Sequence, residues 1–570
     1  MDFEKLVQVY EELENTSSGN KMREVLAEFF KTVPKDDLKI VSYLTLGMIA
    51  SDYDNVILGM AEKTVLKAIT TAGATDSSKV KKLMQDSGDA GLVAETVLQK
   101  KPVTLVPVGK LTIHELFEKL HKITQSIGMG SQDTKTSLLA SLLQKASAKG
   151  AKYVIRISLG TLRMGVGDMT VLDALSIAFT GDKKNKSILE HAYNICPDVG
   201  IIAETLAKKG LKEIEKINVH VGRPIKMMLA QRVKELEDIA KRIPGKVTVE
   251  GKYDGERVQA HKEKNGKITL FSRRLDNITE QFPDLVKYLA KAINAKEFVI
   301  EGEVIAVDDT GKPLPFQTLM QRRRKYDVKE YVKKIPVQLK TFDLLYFDGK
   351  SYLNEPYYQR TELLEKITQK NKEIVLTERI ITEEVDEIND FFHQMLKAGY
   401  EGIIVKSRAE DSVYQAGTRG WNWIKWKKEY VHEMVDTFDL VIVGAFYGKG
   451  KRSGVYGALL CAVYNNKQDT FETFCKLGTG LTDELLGELP KKLEPYLVNK
   501  KPARLIIKKE MCPDVWFEPK LVVEVIGAEV TKSPHHTAAS GLALRFPRFV
   551  RFREKKAEQA TFSEEIKILK

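Results

Sequence analysis

The chain has 570 residues, 43% hydrophobic and 29% charged, too long for one core and suited to roughly three or four globular domains. Its formal net charge of +12 favours a polyanionic partner, nucleic acid first. The four cysteines, Cys196, Cys461, Cys475 and Cys512, include no Cys-x-x-Cys pair, so neither a zinc site nor a disulfide framework is indicated and reduced thiols are expected. The N-terminus, Met1-Asp2-Phe3-Glu4-Lys5-Leu6, is acidic and amphipathic, unlike a signal peptide, and no apolar run is long enough to span a bilayer. The expectation is a soluble intracellular protein with no membrane partner.

Phe3, Leu6, Val7 and Tyr10 recur at helical spacing, as do Leu138, Leu139, Leu142 and Leu143, so the chain reads as helical to about residue 215. No repeat of solenoid length interrupts it. Gly128-Met129-Gly130-Ser131-Gln132-Asp133-Thr134-Lys135-Thr136 has the flavour of a phosphate loop but lacks the glycine before the lysine. It reads as a loop capping the helix around Leu138. Val219-His220-Val221-Gly222-Arg223-Pro224 ends the helical pattern and marks the first domain boundary.

From about 220 to 430 strands mix with helices. Phe298-Val299-Ile300 and Ile403-Ile404-Val405 are buried-strand runs, and the stretch from Tyr358 to Ile367 looks helical. Val247 and Val249 alternate before Lys252, and Val258 and Ala260 after it, giving two short strands around a Gly-containing turn. Period-2 geometry puts Glu250 and Lys252 on one face. A lysine amine attacks only when neutral, and nearby cations such as Arg257, or burial, favour that form. The plain alternative is a basic hairpin with no chemistry. Glu301 and Glu303 share a face of the next strand run, where two carboxylates beside a triphosphate need a hard cation between them. Glu401 falls just before a strand that carries Lys406, and Trp423, Lys425 and Lys427 share a face. Singly, these runs also read as solvated turns or charged sheet edges. After Asp436 short strands joined by Gly-containing turns suggest a small barrel.

Lys252-Tyr253-Asp254-Gly255-Glu256-Arg257, Ser272-Arg273-Arg274, Glu301-Gly302-Glu303, Thr341-Phe342-Asp343-Leu344-Leu345-Tyr346, Glu401 to Lys406 and Trp423 to Lys427 follow the ordered motifs of covalent nucleotidyltransferases. With Arg545-Phe546-Pro547-Arg548-Phe549-Val550-Arg551-Phe552-Arg553, the whole chain resembles the ATP-dependent DNA ligases of the archaeal replicative type, akin to eukaryotic DNA ligase I. The N-terminal part, with Leu162-Arg163-Met164-Gly165-Val166 and Thr170 to Leu175, is similar to that family's helical DNA-binding domain.

The resemblance implies an all-α DNA-binding domain over 1–218, an α/β adenylation domain over 219–430 and a β-barrel OB-fold over 431–570. It implies that Lys252 attacks the α-phosphate of ATP to form lysyl-AMP, that Glu250 accepts from the adenine amine, and that Phe342 stacks on the base. The plain alternative for Phe342 is a core aromatic. Arg257 and Arg273 would hold ribose and phosphate, and Arg419, Lys406 and Lys425 would lie near the nucleotide phosphate. Glu303 and Glu401 would position Mg2+, or Mn2+ in its place, with Glu301 a bystander. Arg545 and Arg548 would clamp phosphate from the last domain, unless that run is a basic strand facing DNA. AMP then passes to the 5′-phosphate of a nick and the 3′-hydroxyl displaces it. The partner implied is nicked double-stranded DNA, met by a monomer in the cytoplasm at the nucleoid during replication, recombination and repair.

Lys149, Lys152, Arg156 and Arg163 are candidate phosphate contacts of the helical domain, with plain solvated surface as the alternative. Gly448 to Gly454 reads as a basic hairpin loop touching DNA, and His535-His536 as loop surface. Gln99-Lys100-Lys101-Pro102 lies where the family carries a peptide for a sliding clamp, although the usual aromatic pair is absent. The rivals are an RNA ligase or a capping-type nucleotidyltransferase, and a nucleic-acid-binding scaffold without catalysis. Intact Lys252, Glu303 and Lys425 weigh against the last.

Overall fold

Side-chain caps set the starts of several N-terminal helices: Asp2 before Phe3–Glu14, Ser18 before Gly19–Thr32, Thr112 before Ile113–Gln125 and Ser147 before Ala148–Ser158 each accept from a first-turn N–H. The stripe Phe3, Leu6, Val7 and Tyr10 is buried in one core with Leu139, Leu142 and Leu143, while Leu138 packs at its edge. The structure is a computed structural model that describes residues 1–568 except 17, 57, 101–108, 163, 234, 323–327, 428–436 and 449–454. It divides into two compact units, Met1–Trp426 and Lys427–Lys570. Up to Ile214 the described regular elements of the first unit are helices. Gly130, at φ 80°, precedes the Ser131–Lys145 helix as the sequence suggests, though no side chain caps it.

Two candidate DNA contacts do not survive. Lys152 and Arg156 are buried, Lys152 against Glu11 and Glu14, and Arg156 between Glu14 (2.9 Å) and Asp89 (2.9 Å). The acids come from the Phe3–Glu14 helix and the Asp89 cap, far away in sequence, and they turn a basic helix face into an internal ion network. Lys149 pairs with Glu11 at 2.9 Å from an exposed position, and Arg163 lies outside the described residues.

The rest of the first unit is built on two sheets. Its strands are β1 (Leu229–Arg232), β2 (Val247–Lys252), β3 (Glu256–Lys262), β4 (Ile268–Ser272), β5 (Phe298–Ala306), β6 (Val337–Phe347), β7 (Lys350–Ser351), β8 (Ile374–Leu376), β9 (Arg379–Thr382), β10 (Gly402–Ser407) and β11 (Arg419–Lys427). One sheet runs β1-β11-β10-β2-β9; the other runs β4-β3-β5-β6-β7, with β8 on β6. The two strands around the turn are present, but the plain hairpin alternative is ruled out: β2 pairs with β10 and β9, while β3 pairs with β4 and β5. Tyr253, Asp254 and Gly255 carry the chain from one sheet to the other. Gly255 is required there, because a Cβ would lie 2.2 Å from the Val304 carbonyl oxygen.

Alternation along β5 and β6 feeds two cores. Ile300 and Leu344 face the core shared with the Pro283–Ala292 and Tyr357–Ile367 helices. Val299 and Leu345 face a second core with Met228, Tyr414 and Trp423, which borders Phe342 and Ile404. Ile195 joins this second core, and Lys226 N–H donates to Asn194 O at 2.8 Å, so the helical region is tied directly to the two sheets.

The second unit contains β12 (Phe438–Tyr447), β13 (Tyr456–Asn465), β14 (Thr470–Leu477), β15 (Leu497–Val498), β16 (Leu505–Ile506), β17 (Val515–Phe517), β18 (Val522–Ile526), β19 (Glu529–Lys532), β20 (Leu542–Arg545) and β21 (Arg548–Arg553). The main sheet runs β15-β17-β12-β13-β14-β16, with β18 joining β12 to β21. Its central strands are buried on both faces: Leu440 and Ile442 enter one core, Val441 and Val443 the other. Cys461 and Cys475, distant in sequence, are register partners across β13 and β14 and are free thiols. His536 is buried rather than on the loop surface, and burial pushes its pKa down to about 4. The loop residues 449–454 lie outside the described residues.

Candidate active site

Lys252 ends β2, and its carbonyl accepts the Glu401 N–H at 2.9 Å, which places Glu401 just before β10 as the sequence suggests. The Lys252 ammonium is ion-paired with the Glu401 carboxylate. Its nearest charged partner is thus an acid, not the cation expected from Arg257. That arginine is turned to Glu301 (2.7 Å) and to the Met228 carbonyl (2.6 Å).

Glu303 stands opposite Arg257 on the neighbouring strand, with Gly255 against its side chain. Burial pushes the Glu303 carboxyl up to about 7; Lys252 and Arg257 oppose the shift, while Glu401 and Glu256 add to it. Lys252, Glu303 and Glu401 are therefore brought together as expected. Glu301 is no bystander: fully buried, it accepts from Arg257, from Gln259 (3.1 Å) and from the Tyr414 hydroxyl (3.0 Å). It fixes the guanidinium that packs 5.3 Å from the Phe342 ring and 5.4 Å from Trp423.

Glu250 shares the cleft face of β2 with Lys252 but is buried. One carboxylate oxygen accepts from the Tyr357 hydroxyl and the other lies 2.7 Å from the Lys406 ammonium. Lys406 is 1% exposed and sits 4.5, 4.7 and 4.4 Å from the ring centroids of Phe342, Tyr357 and Trp423. Burial lowers its pKa, against the pull of Glu250. The sequence put Lys406 beside phosphate; the structure puts it against Glu250. The antiparallel register explains this, because Glu250 pairs with Ile404 and Lys406 is its diagonal neighbour on the same face. Phe342 is half-buried at the edge of this box.

Arg273 is exposed in the turn after β4, Arg419 is exposed at the start of β11, and Lys425 is half-buried opposite Arg232. In the second unit Arg545 pairs with Glu529 at 2.5 Å and Arg548 is exposed. Sequence reasoning missed Tyr357, Tyr414 and Gln259, whose contacts with the site span 107, 113 and 42 residues. It also missed Glu378, which accepts from Tyr253 and pairs with Lys340 at 3.0 Å beside the Lys252 turn. For Glu301 the signal was present in the Glu-Gly-Glu pattern.

The two sheets thus meet at Lys252, with Glu303 and Glu401 beside it and the buried Glu250–Lys406 pair ringed by Phe342, Tyr357 and Trp423. Three family models match in order: the DNA ligase N terminus over residues 2–176, the ATP dependent DNA ligase domain over 227–427 and the ATP dependent DNA ligase C terminal region over 452–556. "DNA ligase 1" of Methanosarcina acetivorans is 45% identical over 581 residues, covering 100% of this chain and 99% of that protein. "DNA ligase 2" of Thermofilum pendens is 45% identical over 584 residues, covering 99% and 96%. The solved structure titled "Pmar-Lig_PreS3" matches with a TM-score of 0.56 at 18% identity, covering 96% of this chain and 99% of that one, a likeness of fold. The chain belongs to the ATP-dependent DNA ligases, among their archaeal members.

Proposed function

We propose that this chain seals nicks in double-stranded DNA with ATP, storing AMP on Lys252 between two chemical steps. It is an ATP-dependent enzyme that forms phosphodiester bonds. The observation that carries the site assignment is the Lys252–Glu401 pair beside Glu303, on the strand face that also carries the buried Glu250–Lys406 pair.

The Lys252 ammonium must lose a proton before its nitrogen attacks, and the Glu401 carboxylate already accepts from it. The amine then bonds to the α-phosphorus of ATP and gives up a second proton, while pyrophosphate leaves with the electron pair of the broken P–O bond. Next, an oxygen of the DNA 5′-phosphate attacks the same phosphorus, and the lysine nitrogen takes up a proton and leaves as the amine with the electron pair of the broken P–N bond. Finally the 3′-hydroxyl attacks the activated 5′-phosphate, loses its proton, and AMP departs. Each step gathers negative charge at phosphorus, so Arg419, Lys425 and Arg273 stabilise it by position and charge. Arg545 and Arg548 would add cations from the second unit.

Phe342 stacks on the adenine. Glu250 accepts from its amine, and Lys406 passes from the phosphate to the base edge, where its ammonium can donate to a ring nitrogen. Arg257, held by Glu301, lines the same pocket and reaches the ribose. Glu303 and Glu401 suit Mg2+, which is commonly held by one or two carboxylates plus substrate phosphates. A divalent cation favours the charged form of the Glu303 carboxyl that burial disfavours, and it would neutralise the triphosphate; Mn2+ suits the same oxygens.

We assign residues 1–218 as an all-α DNA-binding domain, 219–430 as the adenylation domain and 431–570 as an OB-fold. The helical elements up to Ile214 and the buried antiparallel strands β12 to β14 support the outer two. We place the protein in the cytoplasm at the nucleoid as a monomer; no described helix is long and apolar enough to cross a membrane. A sliding clamp is a further candidate partner. Of the suggested peptide, Gln99 closes the Ala90–Leu98 helix, and Lys101 and Pro102 lie outside the described residues. A pull-down with the cognate clamp at physiological salt decides this, and no binding removes it.

The test is to incubate the protein with Mg2+ and α-labelled ATP or GTP, measure acid-labile label on protein, then add nicked DNA. Label from ATP, absent in Lys252→Ala and lost on nick sealing, is expected. Label persisting in Lys252→Ala sinks the assignment, and label without DNA sealing redirects it to RNA ends.

A further inference from the structure

The base pocket is supported from behind by a residue with no assigned part in the reaction. Tyr357 opens the Tyr357–Ile367 helix, is fully buried, and donates its hydroxyl to Glu250. Its position is fixed at three points. Its N–H donates to the Ser412 carbonyl (3.0 Å), its ring meets Trp423 edge-on at 6.4 Å, and the Lys406 ammonium lies over it at 4.7 Å. One turn later Arg360 grips Asp343, the residue after Phe342, so a single helical turn supports both the acceptor and the stacking ring.

The donor count explains what this support does. A carboxylate is an acceptor with about four lone-pair sites. Tyr357 and Lys406 occupy one oxygen each and prevent the Glu250 side chain from turning, leaving acceptor capacity for one further donor. The Lys406 ammonium retains further N–H donors beside it. An acceptor next to a donor matches adenine, whose exocyclic amine donates beside a ring nitrogen that accepts. Guanine presents the reverse order, a carbonyl beside an N–H.

We propose that Tyr357 is a positioning residue for nucleotide selection, holding Glu250 in the orientation that reads the exocyclic amine of ATP. This rests on the assignment of Glu250 to the base, and the test separates the two. The rate of lysyl-AMP formation is measured at subsaturating ATP and at subsaturating purine riboside triphosphate, which keeps adenine's rings and lacks the amine. Wild-type enzyme is expected to favour ATP. Tyr357→Phe is expected to slow ATP by roughly 10-fold or more, the scale of a hydrogen bond to a charged group, and to leave the deaminated nucleotide within about 3-fold. Equal slowing of both nucleotides by Tyr357→Phe would mean a merely structural residue and overturn the proposal. Equal use of both by the wild type would overturn the base assignment itself, and the proposal with it. Glu250→Ala/Tyr357→Phe, in which no buried carboxylate loses its donor, gives a second comparison if the single variant folds poorly. Its rate with ATP should equal that of Glu250→Ala, and a further tenfold fall would refute coupling through Glu250.

Discussion

Replacing Arg360 with methionine tests whether the pocket is held by the buried pair behind it. Arg360 and Asp343 are both fully buried, and the guanidinium donates to both carboxylate oxygens, at 2.7 and 3.0 Å. It also donates to the Glu355 carbonyl at 2.7 Å. Without it, Asp343 keeps the Leu344 N–H at 2.9 Å and little else to replace lost hydration. Two charge-assisted bonds at ~1.5–3 kcal/mol each, or a broken buried pair taken whole at ~3–5 kcal/mol, converge on a loss of about 3–5 kcal/mol. That is a large share of an ordinary domain's stability. Denaturant unfolding followed by tryptophan fluorescence suits the test, because Trp421, Trp423 and Trp426 all lie in the first unit. Adenylylation at saturating ATP should also fall, because Phe342 precedes Asp343. Asp343→Leu/Arg360→Met, which removes both charges, should regain at least ~2 kcal/mol over the single variant. A single variant within ~1 kcal/mol of wild type, or a double variant no better than the single, would refute the reasoning.

His261 is buried, accepts from the Gly222 N–H at Nδ1 (3.1 Å) and meets the Gln259 side-chain oxygen through Nε2, so it is held neutral; burial first, and His220 second, lower its pKa to about 3. Because the unfolded chain protonates it near 6.5 and the folded chain near 3, stability is complete above pH 6.5 and declines as pH falls between those values. The loss should reach ~2 kcal/mol by pH 5, and His261→Asn should flatten the pH dependence of the melting midpoint. Arg156→Met should destabilise the helical region by ~3 kcal/mol through its stranded acids while leaving the salt slope of DNA binding unchanged. A slope reduced by one phosphate contact would place Arg156 on DNA after all. Gly255→Ala should cost ~1–3 kcal/mol and sharply slow lysyl-AMP formation, because the new Cβ displaces the Val304 carbonyl and crowds Glu303. Wild-type labelling rates in that variant would show the turn to be tolerant.

The helical stripe of Phe3 to Tyr10, the strand runs of β5 and β10, and the closeness of Lys252, Glu303 and Glu401 were all legible, because each follows from local periodicity or an ordered motif. What escaped the sequence depended on distant partners. A three-residue turn between two alternating strands reads locally as a hairpin, and only β10 and β5 decide that β2 and β3 part into separate sheets. Lys152 and Arg156 look like a basic face until Glu11, Glu14 and Asp89 are seen beside them. Glu301 and Glu303 carry the same side chain two residues apart. Their different roles arise because Gln259 and Tyr414 converge on one, while Lys252 and Glu401 border the other.

The Lys252–Glu401 pair has a consequence for how the protein keeps account of its own state. While the amine is free, it and Glu401 cancel one another at the mouth of the pocket. Once the nitrogen is bonded to phosphorus it no longer carries the ammonium charge, and the same event that loads AMP releases a carboxylate from that partnership. The loaded enzyme then carries net negative charge where the unloaded one carries a cancelled pair. A DNA end would sense whether the enzyme is ready through electrostatics, before any phosphate reaches the reacting atom.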